Sequence, residues 1–280
     1  AQISQKMENA EYISNLILGS SSIQDCLSDL PSPEDAPAIT EYNRTINNAL
    51  TEYATLFRSN GIAYAAVYSK NGEYVNCTNW VTLKRTPGFL LDAAIQNGYE
   101  KEGAVTWTHA TRQPYMLLSR NVRQIRNMSL EPLGNMVIGL DLEQVVSEAV
   151  RFASQYKDQK VVIANQSGSL IYASSSLTDQ RAEELITDPF TTYKIVSYDG
   201  HKYFAVKGTL PHYQYSYVTL APFDEVAGAL TVSMQTTFMI FLVGILFIWY
   251  LSSRLIRGII RQFDALIQKM KLFTQNELEL

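Results

Sequence analysis

The hydrophobic residues of this chain follow three patterns in turn, each predicting a different kind of element. Over residues 1–56 the spacing is helical: Ile13, Leu16 and Ile17 share one face, and Ile39, Tyr42, Ile46, Ala49, Leu50 and Tyr53 repeat at helical intervals. Pro31, Pro33 and Pro37 break this region. Strand signals begin at Ile62. Residues 62–68 lead through the turn residues Ser69-Lys70-Asn71-Gly72 to a return at Glu73-Tyr74-Val75, which makes a hairpin. A short helix over 88–97 follows, then strands at 104–107, 115–120 and 136–141, the last running into a helix over 142–156.

The same plan recurs in compressed form. Val161-Val162-Ile163-Ala164 passes through Asn165-Gln166-Ser167-Gly168 to Ser169-Leu170-Ile171-Tyr172, and strands are expected at 193–196, 203–206 and 215–220. The second unit ends at Ala221-Pro222-Phe223. Beyond it no charged residue occurs between Glu225 and Arg254, and residues 230–253 supply the roughly 20 apolar positions needed to cross a hydrocarbon core. Asp224 and Glu225 precede this span while Arg254, Arg257 and Arg261 follow it, so the larger N-terminal part is expected outside the cell and residues after 253 in the cytoplasm. Trp249 and Tyr250 suit the inner interface. After the span, Ile256, Ile259, Phe263, Leu266, Met270 and Phe273 alternate in steps of three and four, the seam of a coiled coil between two copies of the chain. An amphipathic helix lying on the bilayer has the same pattern.

Composition narrows the function. The net charge of -4 and the lack of a basic face argue against a nucleic-acid partner. Cys26 and Cys77 are too few for a structural zinc site; both would lie outside the cell, where oxidation is possible, yet they sit in different elements, and both thiols are expected free. His109, His201 and His212 lie in or beside loops, where solvation is the ordinary state, and no catalytic triad, phosphate-binding loop or kinase motif can be assembled. No catalytic residue, metal or cofactor is therefore expected. Ala1 in place of a methionine, and an end inside an amphipathic pattern, read as a fragment whose effector lies further along.

The order of these elements resembles a double Cache sensor. The expected fold is α+β: a long N-terminal helix with two tandem PAS-like antiparallel-sheet units, then a transmembrane helix and a coiled-coil-like relay helix. The seam and Asn276-Glu277-Leu278 resemble the first helix and connector of a HAMP domain, although Gly258 stands where many such helices have a proline. The tyrosine-rich strand at 215–220 and the following proline step are most similar to Gram-positive sensor histidine kinases of the YesM-like class. The implied division is a helical stalk over 1–60, a membrane-distal unit over 61–159, a membrane-proximal unit over 160–229, a span over 230–253 and the start of HAMP over 254–280. The implied function is sensing of a small molecule outside and signalling, as a homodimer, to a kinase and response regulator inside. Chemoreceptors and diguanylate cyclases share this front end, and a tethered binding protein without signalling is the reading from another class.

In that family the ligand sits in the distal unit, which here offers Tyr64, Trp80, Trp107, Tyr115, Arg120 and Asp141. Aromatic walls with a few polar groups suit a sugar, an organic acid or an amine. Arg120 and Asp141, at two strand ends, would hold opposite ends of a polar ligand; core packing of the aromatics and a salt bridge between the charges give the same sequence.

Overall fold

The computed structural model describes residues 2–125, 129–153, 158–189, 192–210 and 212–277. The N-terminal region is four helices rather than one long one: α1 (Gln2–Leu18), α2 (Ser21–Ser28), α3 (Ala36–Thr51) and α4 (Ala54–Ser59). Met7, Ala10, Ile13, Ser14 and Ile17 recur at three and four residues and form the buried face of α1. The break that the periodicity hides is Gly19-Ser20, where the Gly19 amide closes the last turn on Asn15 O at 3.0 Å and Ser20 precedes a new helix. The break expected over Pro31 to Pro37 falls between α2 and α3, and Pro37 helps to start the second of these. It lies in the first turn of α3, where a missing amide costs nothing, and Asp35 caps that turn through the Ala38 amide.

The first sheet contains β1 (Ile62–Ser69), β2 (Val75–Cys77), β3 (Thr106–Thr108), β4 (Tyr115–Arg123) and β5 (Pro132–Asp141), in the order β2-β1-β5-β4-β3. Between β2 and β3 lie α5 (Trp80–Arg85), absent from the sequence reading, and α6 (Gly88–Glu100). Helix α7 (Leu142–Ala153) leads to the second sheet; positions 154–156 of its expected extent lie outside the described residues. That sheet contains β6 (Lys160–Ala164), β7 (Leu170–Ala173), β8 (Tyr193–Tyr198), β9 (His201–Leu210) and β10 (Tyr215–Pro222), with α8 (Asp179–Thr187) between β7 and β8. Its order, β7-β6-β10-β9-β8, repeats the first sheet strand for strand, and every pairing in both sheets is antiparallel. The expected α+β fold with two tandem antiparallel units is thus present.

Strand side chains alternate between two faces, so each sheet builds two cores. On one face Met116, Leu118, Val122, Met136, Ile138 and Leu140 pack against the N-terminal helices, in a cluster that continues through α7 to Val161, Ile163 and Tyr215 of the second sheet. On the other, Tyr64, Ala66, Tyr68, Cys77, Leu117 and Val137 meet Leu83, Leu90 and Ala94 of α5 and α6. A fully buried side chain of this size contributes about 1.5–3 kcal/mol, which is what holds the short α5 and α6 in place. Cys26 packs with the first cluster and Cys77 with the second; both are free, and burial pushes the Cys77 thiol up to about 11.

The chain divides into two compact units, Ala1–Pro222 and Phe223–Leu280. The second is described as one helix, α9 (Phe223–Glu277). Its part from Phe223 to Arg261 is the one helix among the described residues long and apolar enough to cross a membrane, with a mean hydropathy of 2.0 over its most apolar window. Ile256, Ile259, Phe263, Leu266 and Met270 are all exposed on it, whereas the Phe273 side chain and Leu278 lie outside the described residues.

Candidate functional site

The six residues singled out from the sequence divide between the two faces of the first sheet. Tyr64 and Tyr115 share the α5–α6 face, with ring centroids 6.1 Å apart in an edge-on arrangement. Tyr64 is fully buried and its hydroxyl accepts a bond from Thr86 Oγ1 at 3.1 Å, so that burial raises its pKa to about 12. Trp80, the first residue of α5, is 45% exposed.

Trp107 and Arg120 face α1 instead. Trp107 Nε1 donates to Glu11 Oε1 at 2.9 Å. Arg120 donates through Nε to Gly103 O at 2.7 Å and through Nη1 to Ser14 Oγ at 3.3 Å and to Asn15 Oδ1. Asp141 caps α7, accepting from the Gln144 amide at 2.9 Å. In the β4–β5 ladder Arg120 lies opposite Met136 while Asp141 lies opposite Tyr115, so the two charges stand five positions apart and do not form the two-ended grip expected from the sequence. Period two settles this: Arg120 shares a face with Leu118 and Met116, Tyr115 with Leu117.

The α5–α6 face carries a polar row that the sequence reading passed over. Tyr68 lies opposite Asn135 in the β1–β5 ladder and Asn135 opposite Asn121 in the β4–β5 ladder, a straight line across three adjacent strands. All three are at least nine-tenths buried. Asn135 Nδ2 donates to Ile95 O of α6 at 3.0 Å, but Asn135 Oδ1, Asn121 Oδ1 and the Tyr68 hydroxyl have no protein partner. Desolvation holds the Tyr68 phenol well above its ordinary range. The available signal was asparagine inside two strands that are otherwise apolar, since asparagine is depleted there and needs a reason. Two acceptor oxygens and a phenol can together bind hydrogen-bond donors. Charged groups lie near this row: Arg123, two positions along β4 from Asn121, has its Nε shut off from solvent without a protein partner, and Asp92 of α6 adds to the rise of the Tyr68 pKa.

The histidines also differ from expectation in one case. His109 is half-buried with Nδ1 shut off from solvent and without a protein partner, and burial favours its neutral ring. His201 and His212 are exposed.

No protein-family profile matches the chain. Among curated proteins it is similar to the sensor histidine kinase YesM of Bacillus subtilis (strain 168), at 22% identity over 183 residues. That alignment takes in 64% of this chain and 31% of YesM, so the matched stretch spans about a third of the relative's length. Among solved structures it is similar to the extracellular domain of rpHK1S-Z16, described as a candidate histidine kinase, with a TM-score of 0.52 and 11% identity over 80% of this chain and 90% of that one. The sensor domain of the V. cholerae histidine kinase DctB gives a TM-score of 0.48 and 14% identity over 79% of this chain and 92% of that one. The likeness to rpHK1S-Z16 places the tandem-sheet region in the fold of an extracellular sensor domain.

Proposed function

We propose that this chain is the extracytoplasmic sensing and transmembrane signalling portion of a bacterial receptor, a sensor histidine kinase of the YesM kind, with a double Cache sensor and the first helix of HAMP. The observation that carries it is the row Tyr68–Asn135–Asn121. A buried polar group without a partner costs about 1–3 kcal/mol, so three in line call for donors from outside the protein, and the proposed source is a ligand. With acceptors in the row, the fitting ligand bears hydroxyl or amide donors, as a sugar does. Tyr64 and Tyr115 supply its aromatic wall; Trp107, Arg120 and Asp141 act in support, and Trp80 lies at the mouth. Helix α6, whose Gly98 packs on Asn135, must lift for entry. The proposed division keeps the stalk at 1–60, the distal and proximal units at 61–159 and 160–229, the span at 230–253 and the HAMP start at 254–280, with the sheets outside and a response regulator served inside.

Two substitutions test the row. Tyr68→Phe and Asn121→Leu each remove an unsatisfied group at little change in shape, so the ligand-free protein should gain about 1 kcal/mol, or roughly 2–4 °C in Tm. Thermal-shift screening of the full chain in detergent against neutral sugars and against carboxylates should find a sugar that stabilises the parent and not the variants. A fall in Tm of the ligand-free variants would mean that the row holds structural water, and would remove the site.

The relay helix is tested separately. One helix cannot bury the seam from Ile256 to Phe273, and a parallel copy can. In a chain lacking Cys26 and Cys77, single cysteines at Ile259, Phe263, Leu266 and Met270 should cross-link as disulfide dimers in membranes, while cysteines at Gln262 and Gln268 should not. A flat profile along the helix would count against pairing.

A further inference from the structure

We infer that the loop joining β3 to β4, residues 109–114, carries the state of the first sheet to the second, with Arg112 as its clamp and His109 as its contact on β10. Both ends of the loop are fixed to the candidate site. Thr108 Oγ1, at the end of β3, accepts from Asn97 Nδ2 of α6 at 3.0 Å, and Tyr115, at the start of β4, meets Tyr64. A movement of α6 or Tyr115 therefore reaches the loop from either side.

The loop turns tightly, the Gln113 amide donating to Ala110 O at 3.2 Å, and Arg112 is held at φ +55°. Residues with side chains seldom adopt that left-handed region, and a specific interaction favours it. The Arg112 guanidinium provides one: Nη2 donates to Leu177 O at 2.9 Å and Nε to the Asp179 carboxylate, both where α8 of the second sheet's unit begins. Beside the clamp, the His109 ring stands edge-on to Tyr215 at 5.8 Å and 83°. Tyr215 stacks on Tyr213 at 6.2 Å, and Tyr213 meets Trp107 of β3 edge-on at 6.2 Å. Tyr215 is also the first residue of β10, the strand between β6 and β9, whose last residue Pro222 is followed directly by Phe223 of α9. The loop thus touches the strand that continues into the apolar helix. Helix α7 is the competing route, because it joins the two sheets through the chain itself.

The inference borrows from the proposed function only the idea that α6 and Tyr115 respond to a ligand, and its test uses none. Hydrogen exchange of the full chain in lipid nanodiscs reads the coupling. Asn97→Ala disturbs the first sheet's side, while Arg112→Ala and Asp179→Ala cut the clamp from opposite ends; the pair is 42% and 55% exposed, so neither loss should unfold the protein. In the parent, Asn97→Ala should speed exchange of β10 amides by about threefold to tenfold, and by less than about twofold when either clamp variant is present. The same β10 response with and without the clamp would assign the coupling to α7, and no response in the parent would end the inference. Failure of the sugar site would instead appear in Tyr68→Phe and leave this cycle intact.

Discussion

Gly139→Ala should cost about 2–4 kcal/mol of stability, and Tyr64→Leu in the same chain should return most of it. Gly139 lies opposite Tyr64 in the β1–β5 ladder, and the tyrosine ring lies across the glycine. A Cβ at 139 would stand 2.8 Å from Tyr64 Cδ1 and Cζ and closer still to Cε1. Tyr64 has nowhere to go: it is fully buried, held by Thr86 and wedged against Tyr115. Overpacking of this kind ordinarily costs 1–3 kcal/mol, and the rigid ring puts this case at about the upper end. Leucine at 64 removes the ring atoms that clash, at the separate cost of the Thr86 bond. Gly134 gives the contrast, since a Cβ there would overlap the carbonyl oxygen of Tyr68 in the facing strand, which no side-chain change can remove. Urea unfolding of the four chains in the Gly139–Tyr64 cycle measures the rescue, and strictly additive losses would mean that the ring swings clear.

These two glycines show what the sequence makes legible and what it does not. Periodicity and turn residues place the strands because each strand's own residues record which neighbours are buried. Residues 136–141 announce β5 in this way, and 215–220 announce β10. The repeated sheet order could be suspected for the same reason, since each unit opens with a hairpin. What stays hidden depends on other elements. Gly19-Ser20 splits α1 from α2 although both sides keep a helical pattern, and α5 forms because Leu83 finds Tyr64 and Cys77 across the sheet. The site was half legible. Residue types pointed to the first unit, and parity along β4 already assigned Tyr115 and Arg120 to opposite faces. Which of those faces belongs to α1 and which to α6 is a tertiary fact, and it sets Arg120 and Trp107 against α1.

Arg120→Ala should accordingly lower the stability of the ligand-free protein by about 2–3 kcal/mol, the loss expected when hydrogen bonds from a charged group are removed inside a packed region. The guanidinium joins three pieces of chain: β4 itself, the Gly103 carbonyl before β3, and Ser14 and Asn15 of α1. Ser14 is fully buried and its hydroxyl donates to Glu11 O at 2.7 Å, so the Arg120 contact is part of how α1 is seated on the sheet. Burial pulls the Arg120 pKa down and the Glu11 carboxylate, which also accepts from Trp107, opposes the shift. Arg120→Lys should recover little, because a single ammonium cannot reach Gly103 and α1 in the planar fork the guanidinium provides. At this chain length the alanine variant should melt roughly 4–12 °C lower, and Trp107→Phe, which gives up one bond to Glu11, less than that. Differential scanning calorimetry of the ligand-free protein, paired with a sugar titration, separates support from recognition. Lowered Tm with affinity retained once folded is the expected pair, whereas unchanged Tm with lost affinity would return Arg120 to the ligand and move the site to the α1 face.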